Sequence, residues 1–187
     1  SLYEKKICTY PRTDSRCLTD DMEAQVPAFV KVAAAICGVN EPAAVNTAQI
    51  CNSKKVSDHH AVIPTISAGK ADVSVLPAGE REILKLVARQ LVMSVCGPYR
   101  YAETAVTLDC AGTAFSVKGR NVIDLGWRAF STQEKADKPL PDLKEGDNAA
   151  VNDIEVKEGQ TTPPKFYTED TLLSAMETAG EKEMPED

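Results

Sequence analysis

A chain of 187 residues with 43% hydrophobic and 26% charged residues can bury a sizeable core, and one or two domains are expected of it. No apolar run approaches the roughly 20 residues that span a bilayer and no signal peptide is visible, so the expectation is a cytoplasmic protein with no membrane association. The net charge of −7 argues against a nucleic-acid partner, but it is unevenly spread. Residues 1–100 carry 12 Lys/Arg against 10 Asp/Glu, a balance of +2, whereas residues 101–187 carry 9 against 18, a balance of −9.

In chain order, Leu2 to Cys8 reads as a helix end running into a strand. Ser1 is expected to be an added residue, and the chain a piece of a longer one. Thr9-Tyr10-Pro11-Arg12-Thr13-Asp14-Ser15 follows, where Pro11 lacks the N–H that a ladder needs and ends the strand. Thr19 or Asp20 is a suitable N-cap. Met22, Val26, Phe29, Val30, Ala33 and Ile36 then keep helical spacing up to Gly38, with Pro27 early in the helix or between two short ones. Residues 43–56 fit no single element, and Ser57 to Thr65 is a loop with an apolar insert. The clearest helix runs from about Ala78 to Cys96. Its broad apolar face is Ile83, Leu84, Leu86, Val87, Leu91, Val92 and Val95, and Gly97-Pro98 stops it.

Beyond Pro98 the period changes to two. Tyr101 to Cys110 alternates as a strand, Ala111-Gly112 turns the chain, and Ala114 to Lys118 runs back. Asp124 to Trp127 is a turn, residues 131–148 a polar surface loop, and Val151 to Val156 a last strand. A linker at Thr162-Pro163-Pro164 leads to a capped helix from Thr168 to Ala179, and the last seven residues are expected to fray. The fold class expected is α+β, with a helical half, then a strand-rich half.

Two short stretches carry chemistry. Tyr10 is a phenol at the lip of an element, and Arg12, two residues on, offers a planar fork that can clamp a phosphate. Ser57-Asp58-His59-His60 supplies imidazoles that can donate to a phosphate oxygen or move a proton near pH 7, although neighbouring side chains cannot both face one site. Lys54 and Lys55 just upstream can touch phosphates. The blander alternatives are a strand end with a half-buried Tyr and a surface loop with a hydrogen-bonded His. The six cysteines form no CxxC pair and the two histidines are adjacent, so zinc spacing is missing and reduced thiols are expected. No Gly-rich phosphate loop or carboxylate pair for Mg²⁺ is visible.

Tyr10-Pro11-Arg12-Thr13-Asp14-Ser15 resembles the active-site tyrosine motif of type IA DNA topoisomerases. Ser57 to Thr65 is similar to the histidine-bearing segment of their topoisomerase III branch. Pro98-Tyr99, Gly126-Trp127-Arg128 and Phe166 to Leu173 follow in the family's order, so the resemblance covers nearly the whole chain. Cys17 stands where the family has an aromatic residue. The resemblance implies an enzyme that cuts one DNA strand, keeps a 5′-phosphotyrosyl link, passes another strand and reseals. Tyr10 would be the nucleophile, Arg12 would steady the scissile phosphate and His59 would be the phosphate-side histidine. Arg16, His60, Lys54 and Lys55 would be further DNA contacts. It also implies a winged-helix-like catalytic-tyrosine domain at 1–97, a β-rich arch segment at 98–165 and the start of a helical domain at 166–187. Mg²⁺ would be bound by an N-terminal domain outside this chain, and the partners would be single-stranded DNA and the rest of the same polypeptide. Two other classes fit the composition: a DNA-binding winged-helix module without catalysis, and a protein-interaction module with an acidic surface.

Overall fold

The computed structural model describes residues 1–132, 138–153, 155–156 and 158–179. Residues 1–143 form one compact unit and residues 144–187 another. The fold is α+β: three α-helices and one antiparallel pair of strands among the described residues, joined by extended chain and 3₁₀ turns.

The chain opens on a turn rather than a helix end. Leu2 buries its side chain, and its carbonyl accepts from Ile7 N at 2.9 Å and Cys8 N at 3.2 Å, with Lys6 in the left-handed region at φ 56°. A short 3₁₀ turn, Asp20–Gln25, then feeds helix α1, Val26–Cys37, so Pro27 falls in the first turn where its missing N–H costs nothing. The helix ends at Gly38 (φ 67°), where Gly38 N reaches the Ala35 carbonyl and Val39 N the Ala34 carbonyl, both at 3.1 Å. That double bond returns two orphan carbonyls to partners, and the left-handed residue it needs is glycine.

Helix α2, Ala78–Ser94, packs across α1. Between them lies the main core, built from Val26, Phe29, Val30 and Ala33 of α1 and Ala88, Leu91 and Val92 of α2, with Leu18, Ile50 and Ile63 from extended chain. A second cluster joins Leu2, Ile7 and Cys8 to Ala68, Leu76 and Leu84. The apolar face expected of α2 is wider than the core that covers it: Leu84 and Val92 are fully buried, whereas Ile83 is 58% and Leu86 71% exposed.

Strands β1, Arg100–Cys110, and β2, Thr113–Asp124, form a long ribbon joined by Ala111 (φ 51°) and Gly112 (φ 84°). Two successive positive φ values make this the two-residue turn whose twist matches a hairpin. The register pairs Glu103 with Arg120 and Ala105 with Lys118, and Val106 with Val117 and Leu108 with Phe115. One face is therefore polar and the other apolar, as the alternation in the sequence requires. A bulge between Arg100 and Tyr101 shifts the register at the base.

The strand expected over Val151–Val156 is not formed at the described residues 151–153 and 155–156; Ile154 lies outside them. Val151 is 63% and Val156 86% exposed, and a short segment with neither a buried face nor a partner edge does not make a strand. In the second unit, helix α3, Glu169–Glu177, starts on a reciprocal cap between Thr168 and Thr171. The expected fraying of residues 181–187 lies outside the described residues, as do residues 133–137 of the polar loop.

Leu84→Ala should destabilise the first unit by roughly 2–5 kcal/mol, because it opens a cavity at a fully buried site. Leu86→Ala, one position from the core face, should change stability by about 0.5 kcal/mol or less. Urea unfolding midpoints of the two variants check the contrast.

Candidate functional site

Two extended segments, about forty-five residues apart in sequence, are laced together beside the core. Cys8 forms an antiparallel bridge with Pro64, flanked by Thr9 N to the Ile63 carbonyl (3.0 Å) and Thr65 N to the Ile7 carbonyl (2.8 Å). Further on, Ala61 N donates to the Cys17 carbonyl at 2.9 Å. Leu18 then lies beside Cys51 in a parallel bridge, with Leu18 N to the Ile50 carbonyl at 2.7 Å and Asn52 N to the Leu18 carbonyl at 2.8 Å. Buried Ile7, Cys8, Leu18 and Ile63 pin both ends of this seam to the core.

Pro11 cannot continue the ladder, so hydroxyl side chains hold the chain where backbone pairing stops. Thr9 Oγ1 accepts from Ile63 N at 3.0 Å, and Thr13 Oγ1 donates to the His59 carbonyl at 2.6 Å while accepting from Ser15 N at 3.0 Å. Ser15 Oγ donates to the Lys55 carbonyl at 2.9 Å and accepts from Cys17 N at 3.1 Å. Sequence reasoning missed Thr9 and Thr13 as positioning residues. Their position on either side of a Pro-interrupted strand was the available signal, since such a break leaves backbone groups that hydroxyls can satisfy.

This lacing brings Tyr10 against His59 and puts His59 in one cleft with Arg12. The Tyr10 and His59 rings lie 4.5 Å apart between centroids, tilted by 52°, and Tyr3 meets Tyr10 edge-on at 5.1 Å. Tyr10 is half-buried, whereas Arg12 and His59 are exposed. Arg12 and His59 line one open cleft of about 780 Å³ together with Thr13, Asp14, Ser57 and Asp58. Tyr3 carried no signal in the sequence, because nothing in its spacing from Tyr10 implies contact.

The other candidates fall elsewhere. The half-buried His60 turns its Nδ1 to the Ala61 carbonyl at 2.8 Å and does not line the cleft. Arg16 lines a separate, mostly apolar groove with Leu18, Ile63 and Leu91. Lys54 and Lys55 stand exposed on the 3₁₀ turn Ser53–Lys55 and are not among the cleft residues either.

The cleft is electrostatically mixed, with Arg12 and His59 against Asp14 and Asp58, and Asp14 accepts from Ser57 Oγ at 3.4 Å. Among the described residues no three His, Cys, Asp or Glu side chains are grouped so as to hold a metal ion. These residues therefore do not fit a Mg²⁺ site. No described helix is long and apolar enough to cross a membrane. Next to the seam, burial pushes the Cys8 thiol up to about 11, so at neutral pH it stays protonated and unreactive.

The sequence matches the family model described as DNA topoisomerase over residues 1–180. It is 37% identical to DNA topoisomerase 3 of Vibrio cholerae over 186 residues, which cover 94% of this chain and 28% of that protein. Against DNA topoisomerase 3 of Bacillus licheniformis the identity is 35%, with 94% of this chain and 26% of the relative covered. Against that of Staphylococcus aureus (strain NCTC 8325) it is 32%, with 95% and 26% covered. The chain thus spans little more than a quarter of the length of these relatives.

Thr13→Val should cost about 1 kcal/mol and speed amide exchange at Ser15, since both bonds of the hydroxyl are lost. Alkylation at pH 8 should modify the exposed Cys110 well before the buried Cys8, whose thiolate fraction is small. Mass-spectrometric mapping of the alkylated cysteines checks the order.

Proposed function

This chain belongs to the type IA DNA topoisomerase family, and on that premise we propose that it is the tyrosine-bearing part of a bacterial, cytoplasmic topoisomerase III. Tyr10 attacks a phosphodiester of single-stranded DNA. The bond from phosphorus to the tyrosine oxygen forms, the bond from phosphorus to the 3′ oxygen breaks, and the phenolic proton ends on the released 3′-hydroxyl. The protein keeps the 5′ end as a phosphotyrosyl ester while a second strand passes, and the reverse reaction reseals the cut. Relaxation and decatenation both follow from that cycle.

The observation that carries this reading is the contact of Tyr10 with His59, at 4.5 Å between ring centroids, beside the cleft that His59 shares with Arg12. A nucleophile beside two donors is the minimum that phosphodiester attack requires, because negative charge builds on the phosphate oxygens as the bond forms. Arg12 holds two of those oxygens in its fork, and His59 donates to a phosphate oxygen or moves the phenolic proton. The tilted ring contact keeps the imidazole and the phenol in register, while Thr13 fixes the His59 backbone. Arg16, His60, Lys54 and Lys55 are at most outlying DNA contacts, since none of them lines the cleft.

Residues 1–97 we read as a winged-helix-like domain and residues 98–165 as part of a β-rich arch. What supports the first is the crossing of α1 and α2 over the extended seam. Mg²⁺ is assigned to acidic residues of the full enzyme outside residues 1–187, and no step above runs through it.

In the full-length enzyme, Tyr10→Phe should abolish the covalent DNA–protein adduct on a denaturing gel and cost about 1 kcal/mol or less in stability. Adduct formation at the wild-type level would remove Tyr10 from the reaction. Arg12→Lys keeps the charge but loses the fork, so single-turnover cleavage should fall clearly more than DNA affinity does. His59→Ala should slow cleavage by roughly 10²–10⁴, and His60→Ala much less. Equal losses would contradict the placement of His60 outside the cleft.

A further inference from the structure

A second concave site lies in the first unit, on the outer side of α2. It is a groove of about 630 Å³ between α2 and residues 127–132, inside the size range of small-molecule pockets. Trp127, Met93 and Leu86 give it apolar walls. Lys85 and Arg89 bring two cations, and Gln90, Ser131 and Thr132 bring an amide and two hydroxyls. Glu82 also lines it, and is ion-paired with Lys85 at 3.2 Å.

The indole is held in place from its backbone. Gly126 (φ 47°) lies so close to the Gly97 and Pro98 carbonyls that a Cβ there would stand 2.5 and 2.3 Å from them. Trp127 N donates to the Gly97 carbonyl at 2.9 Å, so the turn that presents the ring is locked onto the end of α2. Trp127 remains 38% exposed despite this anchoring. Arg89, from the opposite wall, has its Nε buried without a hydrogen-bond partner among the described residues, while its guanidinium also lies beside the Cys37 thiol. Keeping a half-buried guanidinium beside a fixed, part-exposed indole is costly for packing alone. The pair suits a ligand with a flat aromatic face and an anionic group, because the indole stacks a ring and the guanidinium forks an oxyanion.

We propose that this groove binds a nucleotide unit of single-stranded DNA, with the base stacked on Trp127 and an adjoining phosphate held by Arg89 and, after exchange of its Glu82 partner, by Lys85. The groove chemistry by itself speaks for a nucleotide. The choice of a DNA strand as its source rests on the function proposed above. Such a site would hold a strand away from the Tyr10 cleft, on a surface the cleavage chemistry does not use.

Trp127 is the single tryptophan of the chain, so its emission reports on this groove alone. The test is to titrate the chain, without Mg²⁺, with a thymidine oligonucleotide of about eight residues, a length within the range that one single-strand binding module covers. Thymidine monophosphate serves as the comparison. Stacking should quench the emission, and the apparent Kd for the oligonucleotide should weaken roughly tenfold or more in Arg89→Gln. It should weaken less in Lys85→Gln, a substitution at a part-exposed position that breaks only an ion pair with the surface Glu82, so the fold is kept. Raising salt should release the strand with a log–log slope of about −0.7 per phosphate held. No quenching by either ligand, or quenching that both variants leave unchanged, would overturn the site. Equal affinity for the monophosphate and the oligonucleotide would overturn the strand as its source. The adduct assay reads Tyr10 and this titration reads Trp127, so failure of one proposal is distinguishable from failure of the other.

Discussion

The seam between residues 7–18 and 50–65 is what the rest of the first unit depends on. Neither segment is long or regular enough to be a strand, yet each must satisfy its backbone donors and acceptors next to an apolar core. They do so by borrowing one another's carbonyls where pairing is possible and by using Thr9, Thr13 and Ser15 where Pro11 prevents it. Bringing together segments some forty residues apart carries a loop-closure cost that grows only slowly with length. The intervening helix α1 offsets it by burying Val26, Phe29, Val30 and Ala33 against α2. The helices therefore serve the seam, and the seam places Tyr10 against His59.

This arrangement separates rigidity from chemistry. Buried Ile7, Cys8, Leu18 and Ile63 anchor the seam, while Tyr10, Arg12 and His59 sit at its solvent edge, half-buried or exposed. The same division recurs in the ribbon. Its polar face carries Arg120 and Lys118, which lower the Glu103 carboxyl below its ordinary value, the Arg120 hydrogen bond contributing most. Tyr101 stacks under Arg120, and Tyr99 under Arg128, each with the cation 4.6 Å from the ring centre.

The charge distribution takes on a different meaning once the elements are located. Residues 100–128, which hold the ribbon and the Trp127 turn, carry 4 Lys/Arg and 3 Asp/Glu, a balance of +1. Residues 129–187 carry 6 and 15, a balance of −9. The acidity expected of the strand-rich half thus belongs to the sequence after it, and the first unit up to residue 128 is close to neutral. Long-range repulsion of a polyanion by this part of the chain is correspondingly weak.

Much was legible in the sequence wherever the governing physics is local. The 3.6-residue period delimited α1 and α2, Gly38 and Pro98 marked their ends, the two-residue period gave the ribbon its two faces, and Thr168 announced α3. The motif residues Tyr10, Arg12 and His59 were nameable for the same reason: their chemistry is in the side chain. What the sequence did not contain is which of those side chains meet. Leu2 to Cys8 closes on itself as a turn, with Ile7 N and Cys8 N donating to the Leu2 carbonyl, and pairs across the seam only at its end, where Ile7 and Cys8 meet Thr65 and Pro64. Val151 to Val156 is bounded by valines as a strand can be, but its described residues 151–153 and 155–156 pair with no strand. Ile83 and Leu86 belong to an apolar face by spacing and to the surface by packing. His59 and His60 are chemically equivalent in the chain, and it is the Tyr10 contact and the Thr13 bond on the His59 side, against the turn of His60 toward Ala61, that tell them apart. Local preference determines elements and their ends; contacts across forty residues are set by which surfaces can be buried together, and that is decided only when the whole chain has folded.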